Sequence, residues 1–490
     1  MKGLTLVVLT LLVLGAAATA VLAQQPAPAP GAVAPAAPSG TAAPAAHASK
    51  IDKGDTAWML TSSALVLLMT APGLALFYGG MVRQKNALGT LMQSFIIMAV
   101  ISIQWVLWGY SLAFGPDRGG IIGGLDWIGL RGVGAEPFDA YAKTIPHQAF
   151  MVFQMMFAII TPALITGAFA ERKKFSAFLL FTVLWATLVY DPLAHWVWGD
   201  GGWLKKMGAL DFAGGTVVHI SSGVSALVCA IVLGKRRGYG HQPMQPHNLP
   251  MTVMGAGLLW FGWFGFNAGS ELAADGTAAL AFINTQIATA AAAGGWILVE
   301  RYRNGKPTTL GIASGAVAGL VAITPACAFI EPWAAIVLGL LAGSICCYAI
   351  GIKHRLGFDD SLDVVGVHLV GGAFGAVSLG FLAAYPLLAG QRKGLFYGGG
   401  VAQLGVQVLG PVAVGLYSFS VAWILGKIID KTMGFRVSAE DEVTGVDLTQ
   451  HAETAYEFGS IHLGHTPGHA VTDADQEVAD RESEPATRAH

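Results

Sequence analysis

The sequence predicts an all-α polytopic membrane protein of eleven transmembrane helices. Ten of them form two inverted halves of five, and an eleventh follows. Three observations carry this expectation. Of 490 residues, 54% are hydrophobic and 12% charged, about half the charged share of a soluble globular chain. The charges collect in short clusters between apolar runs of roughly 20 residues, the length a helix needs to cross a bilayer. Finally, two histidine-bearing segments, "VVHISSGVSALV" and "GVHLVGGAFGAV", match each other from separate halves of the chain.

Taken in order, the amino terminus "MKGLTLVVLTLLVLGAAATAVLAQQ" has one lysine, an apolar core and small residues before Gln24. Residues 1–23 read as a signal peptide cleaved after Ala23, with a first membrane anchor as the alternative. Residues 24–50 are rich in Pro and Ala and read as a disordered linker. Removal of the signal would leave the mature amino terminus outside the cytoplasm. A membrane domain at 51–429 follows, with spans expected near 57–79, 88–114, 147–169, 176–198, 213–234, 250–270, 278–299, 309–328, 331–351, 362–385 and 400–429. The loops "VRQKN", "ERKKF", "GKRRG", "ERYRNGK" and "IKHR" carry two or three basic residues each. All five fall on one side of this arrangement, which the positive-inside rule makes cytoplasmic. The bacterial inner membrane, with an external amino terminus and a cytoplasmic carboxyl terminus, is the expected location. Residues 430–490 form a polar cytoplasmic tail. Its last part, 459–490, has a disordered composition, and His462, His465 and His469 there read as solvated rather than metal-binding.

Other functions find little support. The net charge of −2 gives no basis for a nucleic-acid partner. Cys229, Cys327, Cys346 and Cys347 lack metal-ligand spacing. There is no Walker A motif, no HExxH and no nucleophile elbow, so neither an enzyme nor a cofactor is expected. Glycine accounts for 64 residues, about twice the usual share, and small residues at helical spacing let helices approach closely in lipid.

The two histidines are the sharpest signal. His219 lies eight residues after Asp211, and His368 eight after Asp360. Eight helical residues rise about 12 Å, close to the ~15 Å half-thickness of the hydrocarbon core. Each histidine is followed four residues later by a glycine, Gly223 and Gly372. The two spans run in opposite directions, so both rings are expected at the midplane, facing each other between inverted repeats. Intramembrane ionisable residues usually face a cavity or a partner. Two neutral imidazoles suit each other, since one ring nitrogen donates and another accepts.

Several longer motifs go further: "TAPGLALFYGGMVRQKN", "GALDFAGGTVVHI", "QPHNLP", "WFGFNAGS", "ITPACAFI" and "DVVGVH". In this order the chain resembles the ammonium transporter (Amt, methylammonium permease, Rhesus) family over about residues 52–458. The resemblance implies a homotrimer with one pore per subunit and passage of ammonium or ammonia. It assigns an outer recruitment site to Phe153, Phe157, Trp198 and Ser270, and a stacked gate to Phe157 and Phe266. It makes His219 and His368 the pore pair. Asp211 and its pseudo-symmetric counterpart Asp363 are expected to support the pore as helix caps or cation contacts, with Gln154 and Thr324 at the pore mouth. Met155 and Met156 depart from the smaller residues often seen in the family. A trimeric PII signalling protein is implied as a partner for the tail segment "GVDLTQHAETAYEF" and the basic loops. Two rival readings remain: an ammonium sensor signalling through its tail, and a Rhesus-like channel for neutral gas.

Overall fold

The computed structural model describes residues 51–384 and 392–456. The expected signal peptide, linker and distal tail lie outside the described residues. Among the described residues, ten helices are long and apolar enough to cross a membrane. They are α1 (Lys53–Met81), α2 (Gln84–Phe114), α3 (His147–Phe169), α4 (Phe175–Val197), α5 (Gly215–Leu233), α6 (Leu249–Glu271), α7 (Gly276–Asn304), α9 (Pro332–Leu356), α10 (Val365–Leu382) and α11 (Gly400–Met433). Between α7 and α9 lies a shorter apolar helix, α8 (Thr309–Ile323), which stops sooner than the expected 309–328.

Helix boundaries follow local chemistry. The Asp52 carboxylate accepts the Asp55 amide at 2.9 Å. Asn248 caps α6 through the Met251 amide, Asp275 caps α7, and Thr308 caps α8 through the Gly311 amide. Each side chain satisfies an amide that the first helical turn leaves unpaired. α7 ends at Gly305, whose φ of 78° suits glycine.

Helix α1 packs along α6, α5 packs along α10, and α7 is gripped by α8 and α9. One interior, lined by Trp105, Trp185, Trp263, Phe153 and Phe157, runs through the bundle. Outward faces of α9 and α11 present large apolar side chains such as Ile336, Leu341, Val412 and Leu416. Apolar chains facing outward are expected of a protein whose solvent is lipid.

At one end of the bundle the basic loops converge. Arg236 grips Asp359 with Nε at 2.9 Å and Nη2 at 2.9 Å. Glu171 receives Arg83 at 2.6 Å and Arg236 at 3.3 Å. Burial alone would raise the Glu171 carboxyl, but the two guanidinium groups hold it below the ordinary glutamate range. The chain beyond α11 docks onto the same end. Lys174 N–H donates to Phe435 O at 2.9 Å and Val437 N–H to Arg172 O at 3.0 Å. Asp447 accepts the amides of Leu88 and Gly89, at 3.0 and 2.7 Å, capping the first turns of α2.

Glu171→Gln leaves Arg236 buried with half its partners. The expected cost is about 3 kcal/mol, read as a lower Tm in detergent. Because the folded carboxyl titrates below its unfolded value, the wild-type advantage is complete above the unfolded pKa and disappears as pH falls through the folded one. A gap in Tm that persists in strong acid would contradict this.

Candidate pore and recruitment site

The bundle end opposite the docked tail holds a cleft of about 200 Å³. Helix α3 supplies Phe150, Gln154 and Phe157 to its wall, recurring at four and three residues and so sharing one helical face. Trp198, the residue after α4, and Ser270, in the last turn of α6, complete it. The Trp198 indole N–H donates to Asp211 O at 2.9 Å, and its ring meets Phe157 edge-on, 5.8 Å between centroids. Ser270 Oγ donates its proton to Phe266 O at 2.8 Å, which leaves its lone pairs for an incoming N–H. Gln154 Oε1 is buried and finds no donor among the described residues. A cleft with aromatic faces and spare acceptor oxygens suits a small cation that donates hydrogen bonds.

Phe153 does not belong to this wall. It is fully buried, and its ring lies behind Phe157 at 5.1 Å. The backbone at Gly269 covers it so closely that a Cβ there would sit 2.9 Å from Phe153 Cε2. Phe150 lines the cleft instead.

Phe157 and Phe266 stack at 4.1 Å and 20°. Phe157 lines the cleft and Phe266 lines the chamber beyond, so the two rings form the partition between them. The chamber has a free volume of about 10 Å³, room for about one water-sized molecule. Met69, Leu74, Ile160, Leu164 and Val317 wall it, and its polar side chains are His219, His368 and the Trp263 indole.

The histidines meet directly. Their Nδ1 atoms are 3.3 Å apart and their rings 5.3 Å apart. Both rings are buried, and His219 Nε2 has no partner among the described residues. Each histidine sits in a widened, π-helical opening turn: Gly215–Ile220 for His219 and Val365–Leu369 for His368. Such turns recur at functional sites. Here the helical reading of the sequence needs correction. Asp211 precedes the helix rather than starting it, so His219 lies about one turn inside α5, not two.

The matching glycines bring the two helices together. A Cβ at Gly223 would lie 2.4 Å from Leu369 N, and one at Gly372 would lie 2.9 Å from His219 Cβ. Only hydrogen in those places lets α5 and α10 approach closely enough for ring nitrogens to touch.

Asp211 serves the backbone. Its oxygens accept the amides of Gly214, Gly215 and Thr216 at 2.9, 2.6 and 2.7 Å, and the Thr216 hydroxyl as well. That set of donors fixes the turn carrying His219 and leaves the carboxylate committed. On the turn carrying His368 the same service falls to Asp360, not to Asp363. Asp360 Oδ2 accepts the Val365 amide at 2.7 Å. Asp363 has a left-handed backbone, φ 62°, and pairs with Lys353 at 2.6 Å. Thr324 also lies away from the cleft. Its hydroxyl accepts the Trp263 indole N–H at 2.8 Å, and Trp263 stacks on His219 at 5.5 Å. Thr324 thus orients the ring that backs the histidine. Trp263 opens the motif "WFGFNAGS" but is given no role in the sequence reading, although Trp263, Phe266 and Ser270 recur at three and four residues along α6 and share one face.

Comparisons with known proteins identify the family. Residues 57–456 match the Ammonium Transporter Family. An ammonium transporter of Mycobacterium tuberculosis is 54% identical over 434 residues, covering 83% of this chain and 91% of that protein. The crystal structure of Candida albicans Mep2 superposes with a TM-score of 0.75 at 37% identity, over 80% of this chain and 88% of that one. A structure described as a sensor Amt protein gives a TM-score of 0.75 at 29% identity, over 81% and 98% of the two chains.

Gly223→Ala is expected to force α5 from α10, costing about 1–3 kcal/mol and most of the uptake activity. Gly257→Ala, where an added Cβ meets nothing within 4 Å, serves as the comparison and should leave both unchanged. Equal uptake by the two variants would contradict the close-approach role.

Proposed function

The chain belongs to the ammonium transporter family and is a membrane transporter rather than an enzyme; from that premise we propose a route for its substrate. Ammonium binds in the cleft among Trp198, Phe157, Gln154 and Ser270, exchanging water for aromatic faces and acceptor oxygens. Each cation–aromatic contact contributes about 0.5–2 kcal/mol. The Phe157–Phe266 partition must swing aside for passage, because rings in stacking contact leave no opening. Beyond it, a bare cation in an apolar chamber loses its hydration without a counter-charge, which costs many kcal/mol. Ammonium therefore hands a proton to water in the cleft before ammonia passes His219 and His368, and the two imidazoles relay that proton separately, so the passage carries charge. The imidazoles offer the passing molecule one donor and one acceptor.

The observation that carries this reading is the Nδ1–Nδ1 contact of 3.3 Å inside an apolar chamber, directly behind the aromatic partition. A neutral-gas channel needs no aromatic cation site, so Trp198 and the spare oxygen of Ser270 favour recruitment of a cation. The sensor reading draws on the likeness to a sensor Amt protein. Binding without flux in proteoliposomes would favour it.

The wider architecture is part of the same proposal. α8, continued by residues 324–331, acts as the eighth of eleven spans. The halves α1–α5 and α6–α10 are inverted repeats, supported by the packing of α1 on α6 and of α5 on α10 and by the equal eight-residue offsets of Asp211 and Asp360 from their histidines. By the positive-inside rule the basic loops favour a cytoplasmic tail and an external cleft. A homotrimer in the bacterial inner membrane, with a PII protein binding the tail and basic loops, completes the arrangement.

The double variant His219→Ala with His368→Ala tests the route. Ammonium-driven current on supported membranes is expected to vanish or to lose its preference over potassium, which is similar in size. Selective current of wild-type magnitude would remove the pair from the mechanism.

A further inference from the structure

Lys205 lines the same cleft as Trp198, Phe157 and Ser270. It belongs to a five-residue helix, Trp203–Met207, ended by Gly208 at φ 87°. Neighbouring backbone fixes this helix: Trp203 N–H donates to Gly120 O at 3.1 Å, and Lys206 N–H to Gly202 O at 2.9 Å. The Lys205 side chain is half-buried and leans into the cleft. Its ammonium donates to Trp198 O at 3.0 Å and lies 5.8 Å from the centre of the Tyr141 ring, within cation–aromatic range. Burial lowers its pKa, and the Asp200 carboxylate partly restores it.

A transporter that gathers cations gains from negative potential at its mouth, because local concentration follows the field. Lys205 works against that gain. Its head group has the substrate's own chemistry, an N–H-bearing monocation. It also uses the kinds of partner ammonium would use, a carbonyl oxygen and an aromatic face. Its neighbour Lys206 differs: it is exposed, is absent from the cleft wall and pairs with Asp117 at 3.4 Å.

We propose that Lys205 is a tethered ammonium group that opposes substrate in the recruitment cleft and sets the transporter's KM. This rests on the cleft being the recruitment site. Loss of the charge lowers KM and leaves the maximal current alone, because the partition and the histidines are untouched. The expected change is about fivefold, the effect of one unit charge sharing a partly solvated cleft with the substrate. Added salt screens the effect, so wild-type KM falls toward the variant's as ionic strength rises.

The test measures ammonium-driven current against concentration on supported membranes for full-length wild type, Lys205→Gln, Lys205→Met, Lys205→Arg, Lys206→Gln and Trp198→Leu. Support consists of a lower KM at unchanged maximal current in both neutral variants, with Lys205→Arg and Lys206→Gln like wild type. A neutral variant that folds, judged by Tm and elution, yet keeps or raises the wild-type KM overturns the proposal. So does an equal fall in Lys206→Gln. Trp198→Leu separates the levels. If it raises KM while the Lys205 variants do nothing, only the tethered-charge proposal fails. If it leaves KM unchanged, the recruitment reading itself fails.

Discussion

The contact between two imidazole nitrogens deep in an apolar bundle is the constraint on which the other features depend. A 3.3 Å approach of Nδ1 atoms requires one ring to donate and the other to accept, so both must be neutral or share a single charge. It also requires two helix backbones to come closer than side chains normally permit. Gly223 and Gly372 supply that closeness. Asp211 and Asp360 hold the opening turns of the two helices in place by accepting their amides. Trp263, set by Thr324, backs one ring. Each of these residues is costly or unremarkable by itself, and each is explained by the pair.

The pair in turn explains the partition above it. A hydrated cation reaching the histidines would bring water and its own charge into the chamber. Stacked phenylalanines between cleft and chamber separate an environment that welcomes charge from one that excludes it. The cleft has aromatic faces and unpaired oxygens; the chamber has apolar walls and two imidazole rings. In the proposed route ammonium is favoured in the first and ammonia in the second, so deprotonation would follow from the change of surroundings.

Much of this was legible in the sequence, because hydrophobic runs of membrane length and charge clusters are strong signals. The histidine pairing was legible too, since two identical offsets from an aspartate and two glycines four residues on are geometric statements. What failed depended on packing that periodicity does not encode. Phe153 and Phe157 share a face of α3, but Gly269 near the end of α6 covers the first, while the second stacks on Phe266 with its ring still lining the cleft. Asp363 sits nearer the histidine in sequence, yet its left-handed backbone sends it to Lys353, and the more distant Asp360 caps the turn. Thr324 is expected at the pore mouth, whereas its hydroxyl accepts the indole N–H of Trp263, a residue the motif "WFGFNAGS" contains without marking its role. Counting the offset from Asp211 as helical throughout overlooks Phe212, Ala213 and Gly214, which precede the first turn of α5.

The tautomers of the two histidines offer the most direct measurement. Solid-state ¹⁵N NMR of the protein in lipid, with labelled histidine and the His219→Ala and His368→Ala variants for assignment, reports which ring nitrogens carry protons. At neutral pH one of the two rings should be protonated at Nδ1 and the other at Nε2, both neutral, with a coupling between the facing nitrogens. Two rings both protonated at Nε2, or both charged, would mean that no hydrogen bond joins them and that the pore rests on something else.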